Sequence, residues 1–326
     1  MKEKIRVAFI YKRSNVLMTG KHYDNTYYHF FTTALKRNHK IDVTYFPTGE
    51  TFNASILKDK FDVILLFHNH TLSMPNEIIG IRDLDIPVIA RVTDPRVAKD
   101  SIALHEKWKI DYYFMFWPES FFYKLWPRRF KYKTIVFGLE PSLYHNVTSF
   151  DQRIKDRILN SGSVGNTKFF SRIINDIRNP KWNALRCYYL RTICNNLPYV
   201  DYTFTLQHEF VNDKYPLLLQ KYTAAIAASS YTSVIKMWEI PAAGCLSFIE
   251  VSKKNDGDYL GYIDGETAIL INEENYKERF EEYITDVKNP KWEKIANAGR
   301  KYALGEFNND KAVESLVELM EKLLSK

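Results

Sequence analysis

The sequence predicts an α/β protein of two doubly wound domains that face a cleft. Three observations carry that prediction. Short apolar, β-branched runs recur along the chain with helical segments between them, as in parallel sheets covered on both faces. A chain of 326 residues is long for one hydrophobic core. Between two series of such runs lies "GLEPSLYHNVTSFDQ" (138–152), where Gly, Pro and polar residues break the alternation.

The first series opens with "IRVAFIY" (5–11), a buried-strand run. "YDNTYYHFFTTALKRN" (23–38) sets Tyr27, Phe30, Phe31, Ala34 and Leu35 at helical spacing. Strands follow at 41–46, 61–67, 86–92 and 111–116, then a short helix at 120–127 and a last strand at 133–138. The second series starts with a weak strand at 156–164 and a helical region from 169 toward Cys194. A strand at 199–206, a helix at 214–222 and a strand at 224–229 come next. A helix at 234–243, a strand at 245–250 and helices near 275–286 and 290–303 complete it. "NPKW" stands at 179–182 and at 289–292, and Asn-Pro starts helices, so both read as caps. The tail is amphipathic, with Val313, Leu316, Val317, Met320 and Leu324 on one stripe. These readings give domains of 1–145 and 146–308 and a final helix at 309–326.

Composition narrows the function. Apolar residues make up 45% and charged residues 26%, as in a folded soluble protein. The net charge of +7 favours an anionic ligand, and without an arginine-rich run or RNA-binding signature it does not call for nucleic acid. Three cysteines with no C-x-x-C indicate neither a disulfide framework nor a zinc site, and a reducing, cytoplasmic setting is expected. No stretch approaches the roughly 18 apolar residues of a spanning helix. No G-x-G-x-x-G follows the first strand, which argues against a dinucleotide-dependent dehydrogenase.

The richest segment is "SSYTSVIKMWEIPAAGCLSFIE" (229–250). Ser233 is the expected N-cap of helix 234–243. Ser229, Ser230, Thr232 and Ser233 offer donors for phosphate oxygens, Lys236 adds a charge, and first-turn amides would add more. Glu239 lies three residues after Lys236, on the same side of a helix. A carboxylate there accepts both hydroxyls of a ribose. The competing reading is a surface ion pair between Lys236 and Glu239 on an ordinary amphipathic helix. Pro241 inside the helix should kink or end it.

"KMWEIPAAGCLSFIE" followed by "YLGYIDGETAILI" resembles the C-terminal domain of GT-B glycosyltransferases, especially group 1 and spore-maturation-protein-like members. "VFGLEPSLYH" (136–145) and "RNHKIDVTYF" (37–46) resemble elements of their N-terminal domain. The resemblance implies two Rossmann-like domains, with the last helix crossing back to the N-terminal one. It implies a nucleotide-sugar donor bound by the loop before Lys236, with Glu239 on the ribose, and no metal or other cofactor. Many group 1 enzymes carry a second Glu eight residues before the first, where this chain has Tyr231.

In "SGSVGNTKFFSR" (161–172), Gly162 allows close backbone approach, and Lys168 and Arg172 are placed to reach a pyrophosphate, as basic residues here do in similar enzymes. A plain turn with solvated charges is the alternative. "FHNH" (67–70) and "RVTDP" (91–95) end two strands and supply His68, His70 and Asp94. Each is a candidate base for an acceptor hydroxyl or a sugar-orienting group, and the three together are a candidate metal cluster. "DGD" (256–258) reads as a turn. The loop 12–25, with Gly20 and His22, is the expected acceptor loop. "FFYKLWPRRFKYK" (121–133) interleaves five bases with aromatics. It is a candidate membrane contact that would deliver a lipid-linked acceptor, or, as favoured here, a buried helix face followed by a solvated basic loop.

The combined expectation is a glycosyltransferase that moves a sugar from a nucleotide-sugar to a hydroxyl of a saccharide or lipid-linked acceptor. A nucleotide-sugar epimerase and a non-catalytic sugar-binding protein of the same fold are the rivals.

Overall fold

A computed structural model describes residues 4–15, 18, 24–162, 170, 173, 174, 177, 187–203, 209–252 and 255–325. The chain divides into unit 1, residues 1–138 with 308–326, and unit 2, residues 139–307. The segment 139–145, placed in the first domain by sequence, belongs to unit 2. There Tyr144 is fully buried and its carbonyl accepts from Arg300 Nη2 at 2.7 Å.

Unit 1 runs β1 (Ile5–Lys12), α1 (Tyr27–Arg37), β2 (Ile41–Thr48), β3 (Thr51–Asn53), β4 (Val63–Leu66) and β5 (Glu77–Ile79). Then come β6 (Val88–Arg91), α2 (Ala98–Lys107), β7 (Tyr112–Met115), α3 (Glu119–Leu125) and β8 (Tyr132–Thr134). Six strands form one parallel sheet in the order β2-β1-β4-β6-β7-β8, and β3 and β5 form a small parallel pair apart from it. β4 and β6 are buried at every position, which explains the apolar sequence of Val63–Leu66 and of Val88–Ala90, with Arg91 a buried charge at the end of β6. The basic-aromatic stretch divides by residue type. Phe121, Phe122, Trp126 and Phe130 are buried, and Phe122 stacks on Tyr132 at 4.1 Å, whereas Lys124, Arg128, Arg129 and Lys131 are exposed.

Unit 2 runs β9 (Ile154–Asn160), α4 (Tyr189–Ile193), β10 (Val200–Tyr202), α5 (Tyr215–Leu219), β11 (Tyr222–Ala227) and α6 (Lys236–Ala242). It continues with β12 (Leu246–Glu250), β13 (Ile269–Ile271), α7 (Tyr276–Thr285) and α8 (Pro290–Glu306). Its parallel sheet has the order β10-β9-β11-β12-β13. Ile158, Ala224, Ile226, Leu246 and Phe248 from the strands pack with Phe280, Tyr283 and Trp292 from α7 and α8. Asn289 caps α8, its side chain accepting from Lys291 N, as Asn-Pro predicted; the copy at 179–182 lies outside the described residues.

In both sheets the first strand lies between the second and the third in chain order, so the direction of winding reverses beside it. Ligands of such sheets bind at that reversal, beyond the carboxyl ends of the strands. It falls between β1 and β4 in unit 1, and between β9 and β11 in unit 2.

After unit 2 the chain returns to unit 1 as α9 (Asn309–Leu324). It lies against α1 and buries Val313, Leu316, Val317, Leu319 and Met320; Leu324 stays exposed. Asn309 Oδ1 accepts from Gly138 N at 2.7 Å, and Lys133 Nζ donates to Ser315 O at 2.8 Å.

Candidate functional site

In unit 2 the segment after β11 turns into α6 at Lys236, two residues later than the sequence predicted. Ile235 is the N-cap residue, with no side-chain cap, so Ser233 does not cap the helix. The preceding turn is closed by backbone instead, with Met237 N donating to Val234 O. Ser229, Ser230, Thr232 and Ser233 are all buried. The Ser229 and Thr232 hydroxyls are covered and have no hydrogen-bond partner. Such orphans are uncommon in native folds.

Pro241 is accommodated without ending the helix early. It has no N–H for the carbonyl of Met237, four residues back. Tyr262 fills that place, its hydroxyl donating to Met237 O at 2.9 Å. The Gly-Tyr-x-Asp-Gly turn therefore completes the hydrogen bonding of α6. Gly244, at φ +75°, then ends the segment in the left-handed region that glycine adopts freely.

Lys236 and Glu239 do not form the ion pair that their spacing allows. Lys236 Nζ donates to Ser161 O at 3.0 Å, at the end of β9, and spans the winding reversal from β11 to β9. Burial and then Arg191 hold its ammonium pKa well below the usual range. Glu239 has no hydrogen bond or ion pair on its carboxyl among the described residues. It keeps some exposure, yet protein packs closely around the carboxyl, and this desolvation pushes its pKa up to about 8, with Lys236 opposing. Tyr144 and Tyr215 stand close enough for Glu239 to raise their phenol pKa values further. The Tyr215 hydroxyl shares a 2.5 Å hydrogen bond with Ser161 Oγ.

Two members of this cluster escaped the sequence reading. Arg191, on α4, is buried and its Nη2 donates to Ala228 O at 2.8 Å. Glu250, the last residue of β12, is wholly buried and accepts from Ser229 N at 2.8 Å. Their only local signal is a lone charge inside an apolar run, "YYLRTIC" and "CLSFIE". Gly162 follows Ser161 at φ +107°, and its N–H donates to Thr203 Oγ1 at 2.8 Å. Lys168 and Arg172 lie outside the described residues, as do Gly20 and His22 of the expected acceptor loop.

In unit 1, His68, His70 and Asp94 do stand beyond the carboxyl ends of β4 and β6, and each already accepts hydrogen bonds from the protein. His68 Nε2 lies 2.6 Å from Arg91 Nη2, which can only donate. Burial, then Arg91 and His70, depress the His68 pKa well below the ordinary value, so the ring is neutral with its proton on Nδ1. His70 Nδ1 accepts from Leu72 N at 3.1 Å. Asp94 caps the turn Pro95–Val97, and Arg96 engages both of its oxygens, at 3.0 and 2.7 Å. None of the three is placed as a free base. Among the described residues no group of three or more His, Cys, Asp or Glu side chains is arranged to hold a metal, so His68, His70 and Asp94 do not form the cluster considered above.

No protein-family model matches the chain, and no curated protein matches it in sequence. Solved structures do match. Sucrose-phosphate synthase from Thermosynechococcus elongatus has a TM-score of 0.57 at 12% identity, over 99% of this chain and 100% of that one. Anabaena HepE, in complex with UDP and glucose, has a TM-score of 0.59 at 12% identity, over 98% and 100%. A glycosyltransferase from Rickettsia africae gives 0.55 at 11% identity, over 99% of each chain. At these identities the likeness establishes the fold: the chain has the GT-B architecture of two Rossmann-like domains, with its last helix returned to the first.

Proposed function

We propose that the protein is a glycosyltransferase that takes its sugar from a nucleoside diphosphate donor bound in unit 2. The observation that carries this reading is the separation of Lys236 from Glu239. With Lys236 turned to Ser161 O, the Glu239 carboxyl is left for a ligand, beside a winding reversal where such folds bind. Glu239 accepts the two ribose hydroxyls. The diphosphate lies toward Lys236, Arg191 and the hydroxyls of Ser229 and Thr232, which have no protein partner to give up. As the donor breaks, negative charge grows on the departing diphosphate, and preorganised cations and hydroxyls in a poorly solvated site stabilise it. Its arrival also favours the charged form of Lys236, which burial disfavours.

No metal is needed in this scheme, because the two cations take the role that a divalent ion fills elsewhere. That Anabaena HepE was solved with UDP and glucose supports a sugar nucleotide as the donor class. The acceptor is a hydroxyl of a saccharide or of a lipid-linked saccharide. The hydrogen bonds that His68, His70 and Asp94 already accept favour one second reading, a protein that binds a nucleotide-sugar without transferring it.

A thermal-shift panel of nucleoside diphosphates tests the donor site, since a ligand of the folded state raises Tm. One member of the panel should do so. Release of that diphosphate from its sugar conjugate, dependent on an added acceptor and unaffected by EDTA, separates transfer from binding alone. Activity lost in chelator and restored by magnesium or manganese would sink the metal-free scheme.

A further inference from the structure

We propose that the carboxyl end of the unit 1 sheet is a receptor for an anionic oxygen group, a phosphate or a carboxylate, bound by Arg91 and His68. Arg91 ends β6 and is 3% exposed. A guanidinium so buried is costly unless it is paired, and no carboxylate pairs with it among the described residues. Its neighbours are of other kinds. The Tyr28 and Phe67 rings lie 4.1 and 4.3 Å from its centre, Nε donates to Phe67 O at 3.1 Å, and Nη2 donates to His68. Nη1 is covered from solvent and has no hydrogen-bond partner among the described residues. Arg91 also borders a small cavity with Phe9, Tyr28, Phe31, Leu65 and Phe114, where it is the only charged lining group.

His68 extends the pattern. Because Nε2 accepts from Arg91, the ring proton of the neutral side chain sits on Nδ1. That N–H is likewise buried and unpartnered. Two adjacent side chains, 3% and 6% exposed, therefore each hold a donor in reserve, and one of them is a cation without a counter-charge. Donors alone cannot satisfy one another. The group that satisfies both brings acceptor oxygens and negative charge, which describes a phosphate or carboxylate. The site stands beyond β4 and β6, on the side of the sheet where ligands of this fold class gather. His68 thereby becomes a positioning donor and not a base. Identifying the anion as part of the sugar acceptor rests on the glycosyltransferase reading. The anion site itself does not.

The test uses the full chain with 15N-labelled histidine. At neutral pH, His68 is expected as the Nδ1–H tautomer. Inorganic phosphate at constant ionic strength should shift its ring signals saturably and raise Tm by about 2–4 °C at ten times the Kd. Acetate as a second probe reads the carboxylate arm. The response should persist in Glu239→Ala, weaken in Arg91→Lys and vanish in Arg91→Met. His68 found as the Nε2–H tautomer overturns the proposal in the unmodified protein, whether or not the variants fold. So does the lack of a saturable response to either anion, which would leave Arg91 as a staple between Tyr28 and Phe67. A response that survives Arg91→Met and is lost in Glu239→Ala puts the anion in unit 2 and also overturns it. Failure of every nucleoside diphosphate with the His68 response intact removes the donor reading and leaves this site standing.

Discussion

At the carboxyl end of unit 1, among the described residues, the covered side-chain atoms without a hydrogen-bond partner include three donors: Arg91 Nη1, His68 Nδ1 and Asn69 Nδ2. At the same end of unit 2, buried hydroxyls and two buried basic side chains stand beside a carboxyl that makes no hydrogen bond or ion pair among the described residues. The strand order around both places is the same. What differs is the side chains carried at the strand ends and in the segments that follow them. The winding supplies two equivalent crevices, and a few substitutions at strand ends give each its own chemistry. On the two proposals made above, one takes an anion alone and the other a ligand with a diphosphate at one end and a diol at the other.

The units also differ in continuity, and the largest expected effect follows from that. Unit 2 is one stretch of chain, whereas unit 1 takes α9 from beyond it. Deleting 309–326 removes, with Ala312, five larger buried apolar side chains, Val313, Leu316, Val317, Leu319 and Met320. At about 1.5–3 kcal/mol each, the loss is on the order of 10 kcal/mol, comparable to the whole stability of a domain. The truncated chain should lose the near-UV signal of unit 1 and keep nucleotide binding by unit 2. A full aromatic signal would show that α9 is dispensable to unit 1.

Next in size is Glu239→Ala. Losing a charged acceptor for two hydroxyls should weaken nucleoside diphosphate binding roughly 10–100-fold, measured by calorimetry, with Tm no lower than in the parent. Unchanged affinity with a large fall in Tm would make Glu239 a structural residue and erase the contrast between the two crevices. Tyr262→Phe should cost about 1–3 kcal/mol, because it orphans the Met237 carbonyl. Its Tm should fall by several degrees, and neutral behaviour would mean another donor reaches that oxygen.

The smallest effect is a pH dependence. The Glu239 carboxyl sits at about 8, against 4.5 for an ordinary one. The folded chain therefore holds an extra proton between those values, and stability falls as pH rises through that window. Glu239→Gln cannot ionise, so its Tm should exceed the parent's by a margin that grows up to about pH 8. Lys236, with its pKa depressed, titrates in the opposite sense but is present in both chains. Donor binding by the parent, relative to Glu239→Gln, should tighten toward pH 8, the Lys236 contribution being common to both chains. A margin that does not change with pH would show the carboxyl to be ionised throughout.

Much of the fold was legible because parallel strands buried on both faces leave apolar runs, as at Val63–Leu66 and within Ile86–Ala90. The amphipathic stripe of α9 was legible for a similar reason, with Leu324 falling off its end. α2 was missed: within it only Ala98 and Ser101 are buried, so it leaves little periodic signal. The β3–β5 pair was missed because three-residue strands carry almost none. At the candidate site, Lys236 and Glu239 stood out as charges in an apolar segment. Their spacing suggested a pair that the structure does not make, since Lys236 finds a carbonyl 75 residues away in sequence. Arg191, Glu250 and Arg91 reach their places through strand order, which no local window contains.

The Tyr262–Met237 hydrogen bond has a consequence for the order of folding. α6 is seven residues long with a proline inside, too short and too interrupted to persist alone. Its missing donor comes from 25 residues further along, after β12 has crossed the sheet and the chain has turned back. The helix can therefore consolidate only when that later turn docks, and β12 must already be in place. Contacts that close so late are largely absent from the transition state. Tyr262→Phe should then leave the refolding rate nearly unchanged and appear almost wholly as faster unfolding. The stretch that carries Lys236 and Glu239 would be among the last parts of unit 2 to set and among the first to loosen.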